Sequence, residues 1–319
     1  MPRALLATGL LAVAVATSSG CSCISLEELQ DGDATAGRGG ASSGGGEALG
    51  GASAGGAGNG GAVGAAGSGD GGGGAPQVPP LEACIAADGP VVWFRMSSAD
   101  ATEPNLGSFV GDGAYVGEVT PVPSLVGPSD PAGAKSFGGG ALLEYLASQF
   151  VGVEQPLTIE IWLQLNEAAQ VGGGEKRLFE ALRADGSLAV ELGLGPRAVP
   201  DGQDQLFFRL RESPMVRSVF HNAATYLDEA DTPLHVVATY GYAGAADLAL
   251  WVDGELVASP GGGDALALAP MTTLRVASTL GTDGSARAVV DEVAIYTAVL
   301  PAARITAHHA AGTRGAPCD

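Results

Sequence analysis

Thr158-Ile159-Glu160-Ile161-Trp162-Leu163 alternates with a period of two, and its reading decides the fold. Successive side chains of an extended strand point to opposite faces. Ile159, Ile161 and Leu163 therefore share one face, and Glu160 and Trp162 the other. Outward from this strand, the chain from 91 to 296 breaks into short runs of β-forming residues separated by Gly, Pro and Asp. Val91-Val92-Trp93-Phe94 reads as a first strand. Further strands are expected near 177–182, 187–193, 205–211, 217–221, 234–240, 247–252, 255–258, 274–278 and 288–296. Asp253-Gly254 marks a hairpin between two of them, because glycine tolerates the positive φ that a tight turn needs. One helix is expected over 301–311, with Pro301 at its start, Gly312 at its end and Ile305 facing inward. About a dozen strands at short spacing with one helix define an all-β, antiparallel sandwich or barrel.

Upstream of this region the chain has a different character. Arg3, an apolar run over 4–16 and Thr17-Ser18-Ser19-Gly20 have the charged, apolar and small-residue order of a signal peptide over 1–20. The apolar run is too short to span a bilayer comfortably. Of the 51 glycines, 21 fall between Asp31 and Ala75, and Gly71 to Gly74 lead into Pro76, Pro79 and Pro80. So few large apolar side chains cannot offset the entropy of ordering, so 21–80 is expected to be a disordered tether. About 45 residues of flexible coil have a root-mean-square reach of about 35–40 Å. Of the 319 residues, 81–319 then form the folded domain, enough to bury a core between two sheets. The net charge of −20 argues against nucleic acid, which needs clustered Lys and Arg, and against docking on anionic lipid.

Cys21, directly after Gly20 and the apolar run, resembles the lipobox cysteine of bacterial lipoproteins. The resemblance implies acylation of the Cys21 sulfur and of its freed amine. Several acyl chains hold a protein on a membrane durably, where one does so marginally. Ser18 stands where that family usually has Leu, and Cys23 is the alternative site. Ser22, in place of Asp, implies delivery to an outer membrane; plain secretion is the alternative reading.

A second resemblance covers 85–312. Asp291-Glu292-Val293-Ala294-Ile295-Tyr296, with Leu300-Pro301 and Arg304-Ile305 after it, resembles the closing strand and helix of laminin-G-like, concanavalin A-like jelly rolls. Three further segments agree in order. Ala134 to Gly139 is similar to the family's Ala-x-x-Phe-Asp-Gly strand, and Leu157 to Trp162 to its Phe-Thr-x-x-x-Trp strand. His235 to Tyr240, then Leu250 to Gly254, is similar to its His-x-Val-Ala-x-Thr-Tyr and Leu-Tyr-Val-Asp-Gly pair. Leu234 replaces a usual Trp, and Gly138 replaces an Asp at a rim where some relatives bind ligands. The resemblance implies an antiparallel jelly-roll β-sandwich with one short C-terminal helix and neighbouring first and last strands. It also implies a Ca²⁺ site near the joined termini, with Asp291 as ligand and Asp100 as a second. Ca²⁺ takes six to eight oxygens, and hydrogen bonding of Asp291 to loop backbone is the competing reading. Cys84 and Cys318 bracket the domain and, in an exported protein, are expected to form a disulfide.

No catalytic constellation is legible. Related endoglucanases carry Glu-x-Asp-x-x-Glu on one strand, and no such run occurs; Asp228-Glu229 and Asp291-Glu292 are neighbours that would point to opposite faces. His235 reads as a packing residue with one satisfied nitrogen. His308 and His309 read as helix C-terminal or exposed residues, since neighbours cannot share one helix face as zinc ligands. Trp93, Trp162 and Trp251 are expected in the core, and Tyr115, Tyr145, Tyr226 and Tyr242 in or near loops. The expected function is a non-catalytic cell-envelope lipoprotein displaying a module that binds a glycan or an envelope or extracellular protein. The alternatives are a structural lipoprotein holding a partner subunit, and a diverged polysaccharide hydrolase.

Overall fold

The structure, a computed structural model, describes residues 81–127, 133–151, 155–165, 175–196, 204–223, 232–242, 247–277 and 288–318. The signal segment, Cys21 and the glycine-rich segment lie outside these residues. The order begins α1 (Leu81–Ala87), β1 (Val92–Phe94), β2 (Thr102–Glu103), β3 (Gly113–Val116), β4 (Val119–Val122), β5 (Ala134–Phe137) and β6 (Leu142–Val151). It continues β7 (Leu157–Leu165), β8 (Lys176–Arg183), β9 (Leu188–Pro196), β10 (Asp204–Glu212), β11 (Met215–Asn222) and β12 (Pro233–Tyr240). It ends β13 (Leu248–Val252), β14 (Glu255–Ala258), β15 (Met271–Val276), β16 (Ala288–Tyr296) and α2 (Ala302–Arg314).

The strands form two antiparallel sheets. Sheet A runs β14-β13-β12-β7-β16-β5-β4, with β1 also paired to β16. Sheet B runs β11-β10-β9-β8-β15-β6-β3-β2. This is a jelly-roll sandwich. The expected closure of first strand on last is present: Val92 pairs with Ile295, Trp93 with Ala294 and Phe94 with Val293. The hairpin is present too, with Asp253 and Gly254 at φ 53° and 79° joining β13 to β14. Between the sheets lies the main core, to which β7 contributes Ile159, Ile161 and Leu163 as the alternation requires. Each such buried side chain contributes roughly 1.5–3 kcal/mol relative to exposure. β6, whose Leu143 and Tyr145 join this core, has no counterpart among the expected strands. Tyr145 is therefore not a loop residue. It is fully buried, edge-on to Phe94 with ring centroids 5.5 Å apart, and its hydroxyl donates to Val110 O at 3.1 Å.

A second apolar cluster lies on the other side of sheet A. Leu81, Cys84 and Ile85 of α1 meet Trp93, Trp162, Val237, Ala294 and Tyr296, and Ile305 and Ala311 of α2 join them. This cover explains why β7 is buried on both faces along most of its length. The helix α1 was not expected from sequence; its few residues become helical because Leu81, Cys84 and Ile85 make one apolar face at helical spacing. α2 extends past the expected end, and Gly315, at φ 64°, closes it. Gly312 lies inside the helix because α2 crosses Trp162 closely: a Cβ there would stand 2.3 Å from Trp162 Cζ2. The Cys84–Cys318 disulfide joins α1 to the segment after α2, its Cα atoms 5.6 Å apart.

Candidate functional site

Sheet B differs from sheet A in its outer face: among the described residues, no helix packs on it. The strand register lines up one row of side chains across that face. Glu144 of β6 pairs with Arg275 of β15, which pairs with Glu180 of β8. Glu180 pairs with Glu191 of β9, and Glu191 with Arg209 of β10. Two carboxylates directly opposite each other on neighbouring strands would repel. Arginines offset this: Arg177 reaches Glu191 at 3.1 Å and Glu180 at 3.5 Å. Arg209 and Arg211 reach Glu191 at 2.8 and 2.6 Å, and Arg275 reaches Glu144 at 2.7 Å and Glu180 at 3.4 Å. Arg209 also binds Glu175, whose carboxyl this hydrogen bond holds below its ordinary range.

Beside this row stands an aromatic pair. The rings of Phe207 and Phe220 are 6.4 Å apart, and the Arg209 guanidinium lies 4.5 Å from the Phe207 centroid. Gly193 makes room for Phe207: a Cβ there would meet Lys176 O at 2.3 Å and Phe207 Cζ at 2.9 Å. Phe207 is buried, whereas Phe220 and Val216 are 46% and 52% exposed. The face thus offers planar charged groups held in place by mutual pairing, with exposed apolar area at one edge. The tyrosines do not form this platform. Tyr115 is half-buried and donates to Glu103 at 2.6 Å, and Tyr242 packs on the main core; Tyr226 lies outside the described residues. Alternation within β11 carries the missed signal: with Val219 turned inward, Ser218 and Phe220 must face out.

No single strand carries this pair of glutamates, because Glu180 and Glu191 come from different ones. Their side chains are fully buried beneath the arginines. A glycosidase needs one carboxyl group to reach the scissile oxygen and another to reach the anomeric carbon or a water. These two reach neither. Asp228-Glu229 lies outside the described residues. Asp291 and Glu292 sit where β16 shifts register, and both are engaged: Glu292 accepts from Trp93 Nε1 and pairs with Arg95 at 3.3 Å.

The Ca²⁺ expected at Asp291 and Asp100 does not fit these residues. Asp291 Oδ2 accepts from the Ser124 hydroxyl at 2.8 Å and the Leu125 N–H at 2.7 Å, and Oδ1 accepts from the Glu292 N–H at 3.0 Å. Those donors point protons at the carboxylate where a cation would need oxygens. Asp100 stands in an exposed turn after β1, its N–H donating to Ser98 Oγ at 3.1 Å. Among the described residues, no group of three or more His, Cys, Asp or Glu side chains could hold a metal ion. Asp291 instead ties the loop after β4 to β16.

Two facing antiparallel sheets in a jelly-roll order are the architecture of the concanavalin A-like sandwiches. The chain belongs to that family: a laminin G sequence model, described as concanavalin A-like lectin/glucanases superfamily, matches residues 138–306, more than half of it. A search of curated proteins finds no match. Among solved structures, the chain is similar to the receptor-binding domain of botulinum neurotoxin mosaic serotype C/D, with a TM-score of 0.53 and 12% identity. That match covers 70% of this chain and 50% of the neurotoxin domain. It is also similar to the binding domain of botulinum neurotoxin DC in complex with rat synaptotagmin II, at 0.53 and 9%, over 71% and 52% of the two chains. A third likeness is to the receptor-binding domain of botulinum neurotoxin D, at 0.51 and 11%, over 70% and 52%. The chain spans about half the length of these domains. At such identities the likeness shows the fold alone.

Proposed function

We propose that this chain is a cell-envelope lipoprotein, held at an outer membrane through Cys21 and the 21–80 tether. Its sandwich binds a glycan or an envelope or extracellular protein on the outer face of sheet B and does no chemistry on it. The observation that carries this reading is the outer face of sheet B, on which no helix packs among the described residues. The helices α1 and α2 cover the central strands of sheet A, whereas sheet B presents ordered Arg–Glu pairs and the exposed ring of Phe220. Side chains already held by one another lose little freedom on binding, and an aromatic edge beside arginines is a usual centre of recognition energy. Several structures of like fold are receptor-binding domains, and one binding domain is in complex with rat synaptotagmin II, which supports a binding role. The burial of Glu180 and Glu191 supports a non-catalytic one.

The test uses the full chain on a glycan array and in pull-downs from envelope extracts. Phe220→Ala and Arg211→Ala are expected to lower binding at least about tenfold with little change in melting temperature. Undiminished binding by both variants overturns the assignment to sheet B, and release of reducing sugar overturns the non-catalytic reading. Cys21→Ser is expected to move the protein from the detergent-soluble membrane fraction to the soluble one; unchanged fractionation overturns the anchor.

A further inference from the structure

We propose that Glu160, His308 and Asp88 form a proton-operated latch that holds both terminal helices on the outer face of sheet A. The latch is closed while the His308 ring is doubly protonated and loosens when it is not. Glu160 of β7 is fully buried under α2. Its Oε1 lies 2.9 Å from His235 Nε2 of β12, and its Oε2 accepts from the Tyr296 hydroxyl of β16 at 2.8 Å. His308 of α2 brings Nδ1 to 3.0 Å from both oxygens. The other ring nitrogen of His308 stands 2.9 Å from Asp88 Oδ2, just past α1, an electrostatic contact more than a directed hydrogen bond. Each nitrogen of one buried ring thus faces a carboxylate. Carboxylates only accept, so only the imidazolium serves both. His308 is not the capping or exposed residue expected from sequence; Ile305, His308, Ala311 and Gly312 make the buried stripe of α2.

The nearest charges pair off in that state. Arg304 of α2 holds Asp88 through Nε at 3.1 and 3.0 Å and reaches the carbonyls of Cys84 and Cys318. Two anions, Glu160 and Asp88, then face two cations, Arg304 and protonated His308. Arg314 and His309 of α2, Asp253 and Glu255 of the β13–β14 hairpin, and Glu292 of β16 also act on the cluster's ring and hydroxyl groups. His309 sits lower than usual because burial and the neighbouring His235 disfavour its charge. Burial opposes the His308 charge too, but Glu160 and Asp88 outweigh it and raise the ring above its ordinary 6.5. Burial likewise opposes ionised Glu160, yet His308 and His235 outweigh it and hold the carboxyl well below 4.5.

The signs follow. A raised histidine contributes stability that is complete below 6.5 and is lost as pH rises through its folded value. A lowered carboxyl contributes above 4.5 and is lost as pH falls toward its folded value. The latch is therefore closed in mildly acidic solution and opens as pH rises through the folded value of His308, which lies above 6.5. Opening frees α1 and α2 together, since the Cys84–Cys318 disulfide joins the segments they occupy. It would uncover Trp162, His235 and Trp251 on sheet A.

The experiment is amide hydrogen exchange of the full, oxidised chain between about pH 6 and about pH 9, corrected for intrinsic rates. Protection of α2 is expected to fall about tenfold or more across that range while β10, in sheet B, holds its protection. His308→Gln should show low α2 protection with little pH dependence, and His309→Gln should keep the wild-type response. Parallel loss in α2 and β10, or an unchanged slope in His308→Gln, overturns the latch. Should that variant fail to fold, the His308 ring in the wild-type protein is read by NMR. A ring that gives up its second proton above 6.5 supports the proposal, and one that gives it up below 6.5 overturns it.

Discussion

The outer faces of the two sheets both bury glutamates, and they do so in opposite ways. On sheet A, Glu160 lies under a helix among two histidines and a tyrosine. On sheet B, Glu191 lies under three arginines whose guanidiniums reach solvent. The same side chain is hidden in one case by cover and in the other by its partners. Cover makes the charge structural, because removing a partner strands a buried ion. Burial by exposed partners leaves a face that a ligand can touch. The two carboxylates are equally inaccessible, so fractional exposure alone would have classed them together.

Substitution at the two glutamates should separate these cases most sharply. Glu160→Gln leaves the buried His308 imidazolium with only the Asp88 carboxylate, already shared with Arg304, and is expected to cost about 3–5 kcal/mol in urea unfolding. Glu191→Gln should cost about 1–2 kcal/mol, because its arginines can turn to water. Equal losses would break the comparison. Gly312→Ala probes how closely the cover sits. A Cβ at that position meets Trp162 at 2.3 and 2.6 Å, so overpacking of about 1–3 kcal/mol should outweigh the roughly 1 kcal/mol that alanine gains in a helix. A raised melting temperature would mean that α2 stands farther from sheet A. The smallest expected effect is that of chelation. With protons rather than oxygens aimed at Asp291, EDTA should leave the melting temperature where calcium leaves it. A rise of several degrees in excess calcium would restore a metal to that loop.

Much of the sandwich was legible because it is written between near neighbours. The alternation of Ile159, Ile161 and Leu163 assigned β7 its inward face, and Asp253-Gly254 placed a turn. The Asp-Glu-Val-x-Ile-Tyr run marked the closing strand that β1 joins. His235 was readable as a packing residue with one satisfied nitrogen, and so it is. Less was legible at the candidate face. The strands carrying Glu180, Glu191 and Arg209 were expected, but nothing local stated that register would align them.

Sequence by itself determined the β class, the face that β7 turns to the core and the hairpin at Asp253-Gly254, since all three follow from spacing within a few residues. Tertiary structure alone decided what lies on those faces. Glu160 meets His308 across 148 positions of the chain, and Trp162 is covered where α2 crosses it at Gly312. Glu180 stands opposite Glu191 because the β8–β9 register, with its bulges, puts it there. Periodicity reports which way a side chain points. Which partner waits there, and whether solvent does, depends on how distant elements pack.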